Sequence, residues 1–288
     1  MRDYLVRGIV NSKNCRVFAC VTTNLLEEAR LKHGLWPTAS AALGRTMSAT
    51  LMMGAMNKNK EKLTVNINGG GPIGTILAVT NSDGKIKAFA ANPEVLYQYN
   101  SGKLAVGVAV GNEGTLQVIK DMGLKEPFVG TVPLQTGEIG DDFSYYFVVS
   151  EQTPSVVSVG VLVNDTNEIL ASGGFIIQLL PEATEDDIVY IENKMKDFPS
   201  VSSLVHEGKT PEEIIFMLFD DAEILDDQDL FFECDCSKEK MKSALITVGR
   251  DEINAMIEED HGCEMKCHFC NSAYHFSEDE LKELLNEL

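Results

Sequence analysis

The stretch "GTILAVTNSDGKIKAFAA" at 74–91 sets two alternating apolar runs on either side of Asp83–Gly84. Alternation with a period of two is the pattern of a half-buried strand, and Asp-Gly supplies the positive φ that a tight hairpin turn needs. The segment therefore predicts an antiparallel hairpin. Working outward, "LVRGIV" at 5–10 and "CRVFACVTT" at 15–23 flank the turn-forming "NSKN" in the same way. Further apolar runs follow at "KLTVNING" (62–69), "LAVGVAVG" (104–111), "GTLQVIKDM" (114–122), "FSYYFVVSEQTPSVVSVGVLV" (143–163) and "EILASGGFIIQLL" (168–180). Adjacent hairpins with few intervening helices point to an α+β fold with antiparallel-rich sheets rather than a doubly wound parallel one.

Two early segments read as helices. "TNLLEEARLKHGL" at 23–35 has helical periodicity, with Thr23 or Asn24 as its cap. "SAALGRTMSATLMMGAMNK" at 40–58 puts Leu43, Met47, Leu51 and then Met53 or Met56 on one face, and its small residues permit close packing against a sheet.

The net charge of −20 is unevenly placed. Residues 1–178 carry 15 acidic and 15 basic side chains, whereas 179–288 carry 29 acidic and 9 basic and so hold the whole excess. A shift this abrupt suggests a domain boundary near Pro181 and argues against a nucleic-acid partner, whose phosphates would be repelled. The pattern also turns helical there. Thr184 with Asp187 can cap a helix bearing Ile188, Ile191 and Met195. Thr210, Pro211 and Glu213 form a stronger start for a second helix, which runs into "DDAEILDDQD" at 220–229, six acids in ten residues. Like charges at helical spacing weaken a helix. Residues 179–232 thus read either as a helical linker of low intrinsic stability or as an ordinarily folded helical subdomain. Beyond them, Ser237 and Asp251 can cap short helices, and Ser277 with Glu280 forms a capping box for 278–288.

Two cysteine pairs lie in this acidic half, Cys234 and Cys236 in "FFECDCSKEK" and Cys267 and Cys270 in "CEMKCHFCNS". Zinc favours four tetrahedral ligands, thiolate among the best, and two short pairs from separate turns suit that geometry. A ring closed between residues two apart would be tight and easily reversed, so the CxC spacing also admits redox chemistry. His261, His268 and His275 are substitute ligands of lower rank than the four thiols. Cys263 is a fifth thiol near the pairs. Cys15 and Cys20 flank a strand and carry no assigned role.

Other motifs point away from catalysis. "NGGGPIGT" at 68–75 lacks the Gly-Lys-Ser/Thr ending of a phosphate loop and reads as a tight strand–turn–strand. Neither a Gly-x-Ser-x-Gly elbow nor His-Glu-x-x-His occurs. The N-terminus has no apolar signal region and the longest apolar runs are strand-length, so a cytoplasmic protein without membrane spans is expected.

Several long stretches together resemble the heat-shock protein 33 family of redox-regulated holdase chaperones: "GRTMSATLMMGAM" (44–56), "GGGPIGTILAVTNSDGKIKAF" (69–89), "SEQTPSVVSVGVLV" (150–163), "ASGGFIIQLLP" (171–181), and "CDC" (234–236) followed by "CHFCNSAYHFSEDEL" (267–281). The resemblance covers essentially the whole chain. It implies an N-terminal chaperone core (1–178), a metastable linker (179–232) and a zinc-binding redox-switch domain (233–288). It implies one Zn2+ per reduced chain on Cys234, Cys236, Cys267 and Cys270, and disulfides Cys234–Cys236 and Cys267–Cys270 on oxidation. It further implies zinc release, linker unfolding, homodimer formation and ATP-independent binding of unfolded client proteins, with no enzymatic turnover. Cys263 lies outside the family motif. Two rival readings of the thiols are a thiol oxidoreductase and an interaction module with an inert structural zinc.

Overall fold

The computed structural model describes residues 2–57 and 61–287. Lys58, at the end of the expected second helix, and Leu288, at the end of the last, lie outside the described residues. The chain divides into two compact units, Met1–Glu233 and Cys234–Leu288.

In the first unit, β1 (Tyr4–Val10) and β2 (Cys15–Val21) form the expected hairpin, followed by α1 (Thr23–His33) and α2 (Pro37–Gly54). Next come β3 (Lys62–Asn68), β4 (Ile76–Asn81), β5 (Lys85–Ala90), α3 (Val106–Val110), β6 (Thr115–Asp121), β7 (Phe128–Pro133), α4 (Gly140–Val149), β8 (Ser155–Val163) and β9 (Ile169–Leu179). Then follow α5 (Glu185–Lys196), α6 (Val201–His206), α7 (Pro211–Leu218), β10 (Glu223–Asp229) and the two-residue β11 (Phe231–Phe232). Two sheets result. One is ordered β10-β1-β2-β9-β8, the other β11-β5-β4-β3-β6-β7, and apart from the short parallel β11–β5 pair all ladders are antiparallel. The hairpin read from Asp83–Gly84 is β4–β5, with Gly84 at φ 74°.

Helix α2 packs on strands of both sheets and is buried along nearly its whole length. Its small residues allow this: a Cβ on Gly44 would meet Leu26, and one on Gly54 would meet Thr80. Two of its buried hydroxyls are satisfied within the helix, Thr46 donating to the Ala42 carbonyl and Thr50 to that of Thr46. The helix begins three residues before the expected Ser40, because Pro37 is well suited to a first helical position. The cap of α1 is Thr22 rather than Thr23 or Asn24.

Two apolar runs placed among the strands are helical. In 104–111, α3 curls so that the carbonyls of Ala109 and Val110 accept from the N–H groups of Ile73 and Gly71. This fixes the glycine loop at 68–75, whose glycines permit backbone contact with Val110 and Gly111. In 143–149, α4 forms because the buried Asp142 carboxylate accepts from the N–H groups of Gln135, Thr136 and Ile139 and anchors the helix start.

The charge step near Pro181 does not coincide with the division into units. Helices α5, α6 and α7 lie on the face of the five-stranded sheet away from α2. There Ile191, Val201, Leu204, Val205, Ile214, Ile215, Leu218 and Phe219 pack with Val6, Val17, Val21, Phe175 and Ile177. Capping boxes start α5 at Thr184 and α7 at Thr210, as the sequence indicates. Ile188 is only partly buried, and Phe216 is exposed.

The acidic run after α7 is not a helix. Glu223–Asp229 is a strand paired with β1, where Arg2 meets Asp227 and Asp229 and Arg7 meets Asp226. Six acids would repel one another at helical spacing; extended against β1, four of them fall on a strand and three of those find arginines.

The second unit comprises α8 (Lys238–Ile246), α9 (Arg250–Glu258), the hairpin β12 (Gly262–Lys266) with β13 (Ala273–Ser277), and α10 (Glu278–Glu287). Ser237 caps α8 as expected, whereas α9 starts from Gly249 rather than Asp251. The core of this unit is small: Leu245, Ile253, Phe276, Leu281 and Leu284 are its buried side chains. Among the described residues, no helix is long and apolar enough to cross a membrane.

Candidate metal centre

The turn joining β12 to β13 presents Cys267 and Cys270. Its geometry is set by the backbone: Cys267 N–H donates to the Ser272 carbonyl at 3.0 Å, and Asn271 N–H to the Cys267 carbonyl at 2.8 Å. Asn271 takes the left-handed conformation that this turn requires, at φ 59°, one of the few non-glycine residues to tolerate it. Cys234 and Cys236 come from the extended segment leading to α8, which the Ser237 hydroxyl caps by accepting from Lys240 N–H at 3.3 Å.

These two sources converge. The four sulfurs all lie within 4.8 Å of one another. Cys234 Sγ is 3.6 Å from Cys267 Sγ, and Cys236 Sγ is 3.3 Å from Cys270 Sγ. A tetrahedral zinc with bonds of about 2.3 Å separates its sulfurs by about 3.8 Å, so the four thiols fit such an ion with sub-ångström adjustment. The group can hold a metal ion.

Its surroundings bear on thiolate formation. The Tyr274 hydroxyl donates to Cys236 Sγ at 3.1 Å, and the Ser272 hydroxyl lies 3.2 Å from Cys270 Sγ. Lys240 ties down the segment between Cys234 and Cys236, donating to the Asp235 carbonyl at 2.7 Å. Burial opposes ionisation of Cys234, Cys267 and Cys270, yet contacts with Ser272, Cys236 and Cys267 bring Cys270 down to about 7. Burial and the neighbouring thiols push Cys234 up instead.

The histidines do not enter the group. His275 Nε2 is 3.3 Å from Glu264, and His261 Nδ1 is 3.2 Å from Glu278. Cys263 is on β12, half-buried against the small core, and burial raises its thiol. Cys15 and Cys20 lie in the first unit, where burial pushes both up to about 12. Nothing in the residue spacing marks Tyr274 and Ser272 as partners of the thiols; their places depend on the β12–β13 hairpin and its register.

Fold and site together define a two-unit α+β protein whose small C-terminal unit is organised around a metal-competent four-thiol group. The description "Hsp33 protein" belongs to the family model that matches residues 3–277. A protein of Shouchella clausii named 33 kDa chaperonin is 52% identical over all of this chain and 98% of its own length. One of Bacillus subtilis with the same name is 50% identical, with 99% of each chain covered. The crystal structure of the 33 kDa chaperonin (heat shock protein 33 homolog) of Thermotoga maritima superposes with a TM-score of 0.93 at 34% identity, covering 100% of this chain and 99% of that one. The chain belongs to the Hsp33 family.

Proposed function

We propose that this protein is a redox-regulated, ATP-independent holdase of the cytoplasm. In the reduced state Cys234, Cys236, Cys267 and Cys270 hold one zinc ion, which when bound supplies the cross-link that the small unit's core lacks. Zinc contributes about 10–16 kcal/mol of apparent folding energy in comparable modules, far more than five buried side chains can spare.

Peroxide is the oxidant. A thiolate attacks one peroxide oxygen, the O–O bond breaks, and sulfenic acid and hydroxide form. The neighbouring thiolate then displaces a second hydroxide, so that two thiolates have yielded two electrons and become a disulfide. The pairs are Cys234–Cys236 and Cys267–Cys270. Neutral disulfide sulfurs no longer hold zinc, and the small unit unfolds. Residues 179–232 then loosen, uncovering the apolar side chains of α5–α7 and the sheet face beneath them. Exposed apolar surface of that extent binds unfolded polypeptide. Homodimers form in the active state, and neither nucleotide, nucleic acid nor membrane takes part.

The observation that carries this reading is the convergence of four thiols in a unit with so small a core. The test is aggregation of a denatured client protein, with zinc release followed by a chromogenic chelator, before and after peroxide. Suppression that appears together with zinc release supports the reading; complete suppression by the reduced, zinc-loaded protein overturns it.

A further inference from the structure

The two sheets of the first unit have four outer strands, and three are blunted. β10 carries four acids, β11 is two residues long and β7 ends in Pro133. The fourth, β8, is "SVVSVGVLV", nine residues without charge or proline. Strand edges of this kind pair readily with other chains.

Its hydrogen bonding tells which groups are free. Leu179 N–H donates to the Pro154 carbonyl, so the odd-numbered residues of β9 bond toward β8. In the antiparallel register their partners are Val156, Ser158 and Gly160. The odd residues of β8 therefore direct N–H and C=O outward, and Val157 N–H does so, donating to the Ser144 hydroxyl at 3.1 Å beside α4. Past α4, Val159 and Val161 make no outward hydrogen bond among the described residues. Their edge opens on a cavity of about 620 Å³, lined by Ser158 through Asp165 and walled by Leu96, Leu104 and the start of α6. Its charged lining is Arg45, Lys103 and Asp165. Arg45 grips Glu138 at 2.6 Å through Nη1, while its buried Nε has no partner. With Arg45 paired to Glu138, Lys103 and Asp165 leave the lining without net charge, and Leu96, Leu104, Leu162 and Val163 make its walls largely apolar, which favours an apolar guest.

We propose that the outer edge of β8 at Val159–Val161 accepts an extended, apolar segment of an unfolded polypeptide as an added strand, with alternate side chains entering the cavity. The nature of the guest rests on the holdase reading above; the edge itself does not. Main-chain pairing gives affinity without demanding sequence, which suits a binder of many clients.

The probe is a short synthetic peptide alternating Val with Thr and carrying one Glu, added to the full-length protein in reduced and oxidised forms while backbone amide exchange is followed. Protection of the Val159 and Val161 amides is expected. Val161→Pro removes an outward donor but no ladder bond, and should weaken binding about fivefold to tenfold. Lys103→Glu leaves the strand intact, gives the lining a net negative charge and should weaken binding of the Glu peptide relative to its Lys counterpart, so the test survives misfolding of the proline variant. Unprotected Val159 and Val161 amides at saturating peptide overturn the proposal. So does protection that rises with protein concentration alone as the mass doubles, because the edge is then a self-interface. If oxidised protein suppresses aggregation while the β8 amides stay unprotected, this inference falls and the holdase reading stands; peptide protection without any suppression gives the reverse.

Discussion

Arg7 of β1 and Asp226 of β10 face each other across the ladder, with Arg7 Nε donating to Asp226 Oδ1 at 2.6 Å and the second guanidinium nitrogen on the other oxygen. With Arg2 on Asp227 and Asp229, this pair fastens an edge strand whose own side chains are mostly exposed. An exposed pair contributes about 0.2–1 kcal/mol and is screened by salt. Asp226→Asn should therefore accelerate amide exchange in 223–229 severalfold and leave β2–β9 unchanged. High salt should reproduce the effect in the parent protein and add little in the variant.

Acid should loosen the same cover. The Thr184 N–H holds the Asp187 carboxyl below its usual range, the Thr210 N–H does so for Glu213, and the Arg7 guanidinium for Asp226. A carboxyl with a depressed folded pKa binds its proton more readily when unfolded. Its stabilisation is complete above the unfolded value near 4 and is lost as pH falls through the folded one. Between about pH 5 and pH 3, binding of an apolar dye should rise and pepsin should cut within 179–232. Asp226→Asn, which lacks one of the three groups, should show a shallower acid dependence; an unaltered profile would count against the assignment.

How much of this was legible beforehand follows from where the determining partners lie. The β4–β5 hairpin depends on Asp83–Gly84 and its immediate neighbours, and the capping boxes at Thr184, Thr210 and Ser277 on residues three positions apart, so sequence reading placed them. The four cysteines were evident because metal spacing is local within each pair. The strand state of 223–229 depends on Arg2 and Arg7, more than 200 residues away, and nothing inside "DDAEILDDQD" predicts it. The helix at 143–149 depends on how Asp142 gathers three backbone N–H groups, and its aromatic residues by themselves favour a strand.

Cys234→Ser should remove the metal and with it the fold of the small unit. One zinc per chain is expected in the reduced parent by elemental analysis and less than a tenth of that in the variant under chelator competition. Amides of α8–α10 should then exchange at rates close to those of an unfolded chain, since the remaining core is five buried side chains. Protection retained without metal would show the ion to be dispensable for folding.

Tyr274→Phe deletes the hydroxyl that donates to Cys236 Sγ and little else. Hydrogen bonds to a ligand atom orient it and moderate its charge, and losing one typically costs tenfold to a hundredfold in metal affinity. The variant should bind zinc about tenfold more weakly and release it faster under peroxide, with the secondary structure of both units preserved. Equal affinity and equal release rate would mean the contact is incidental.

Phe219 closes α7 against the five-stranded sheet, is buried, and stacks on Tyr190 at a centroid distance of 6.2 Å. Truncating a buried phenylalanine to alanine typically costs about 3–5 kcal/mol. Here the loss falls on docking of the helical cover, because α1–α4 and the other face of the sheet form a separate core. A shift of that size moves the docked–undocked equilibrium by about two to three and a half orders of magnitude. Phe219→Ala should thus suppress client aggregation without oxidant while all four thiols stay reduced and zinc stays bound. That combination separates the two events that the proposed switch couples, loss of the metal and exposure of the apolar face. If the variant still needs peroxide, the face beneath α5–α7 is not the surface whose exposure activates the protein.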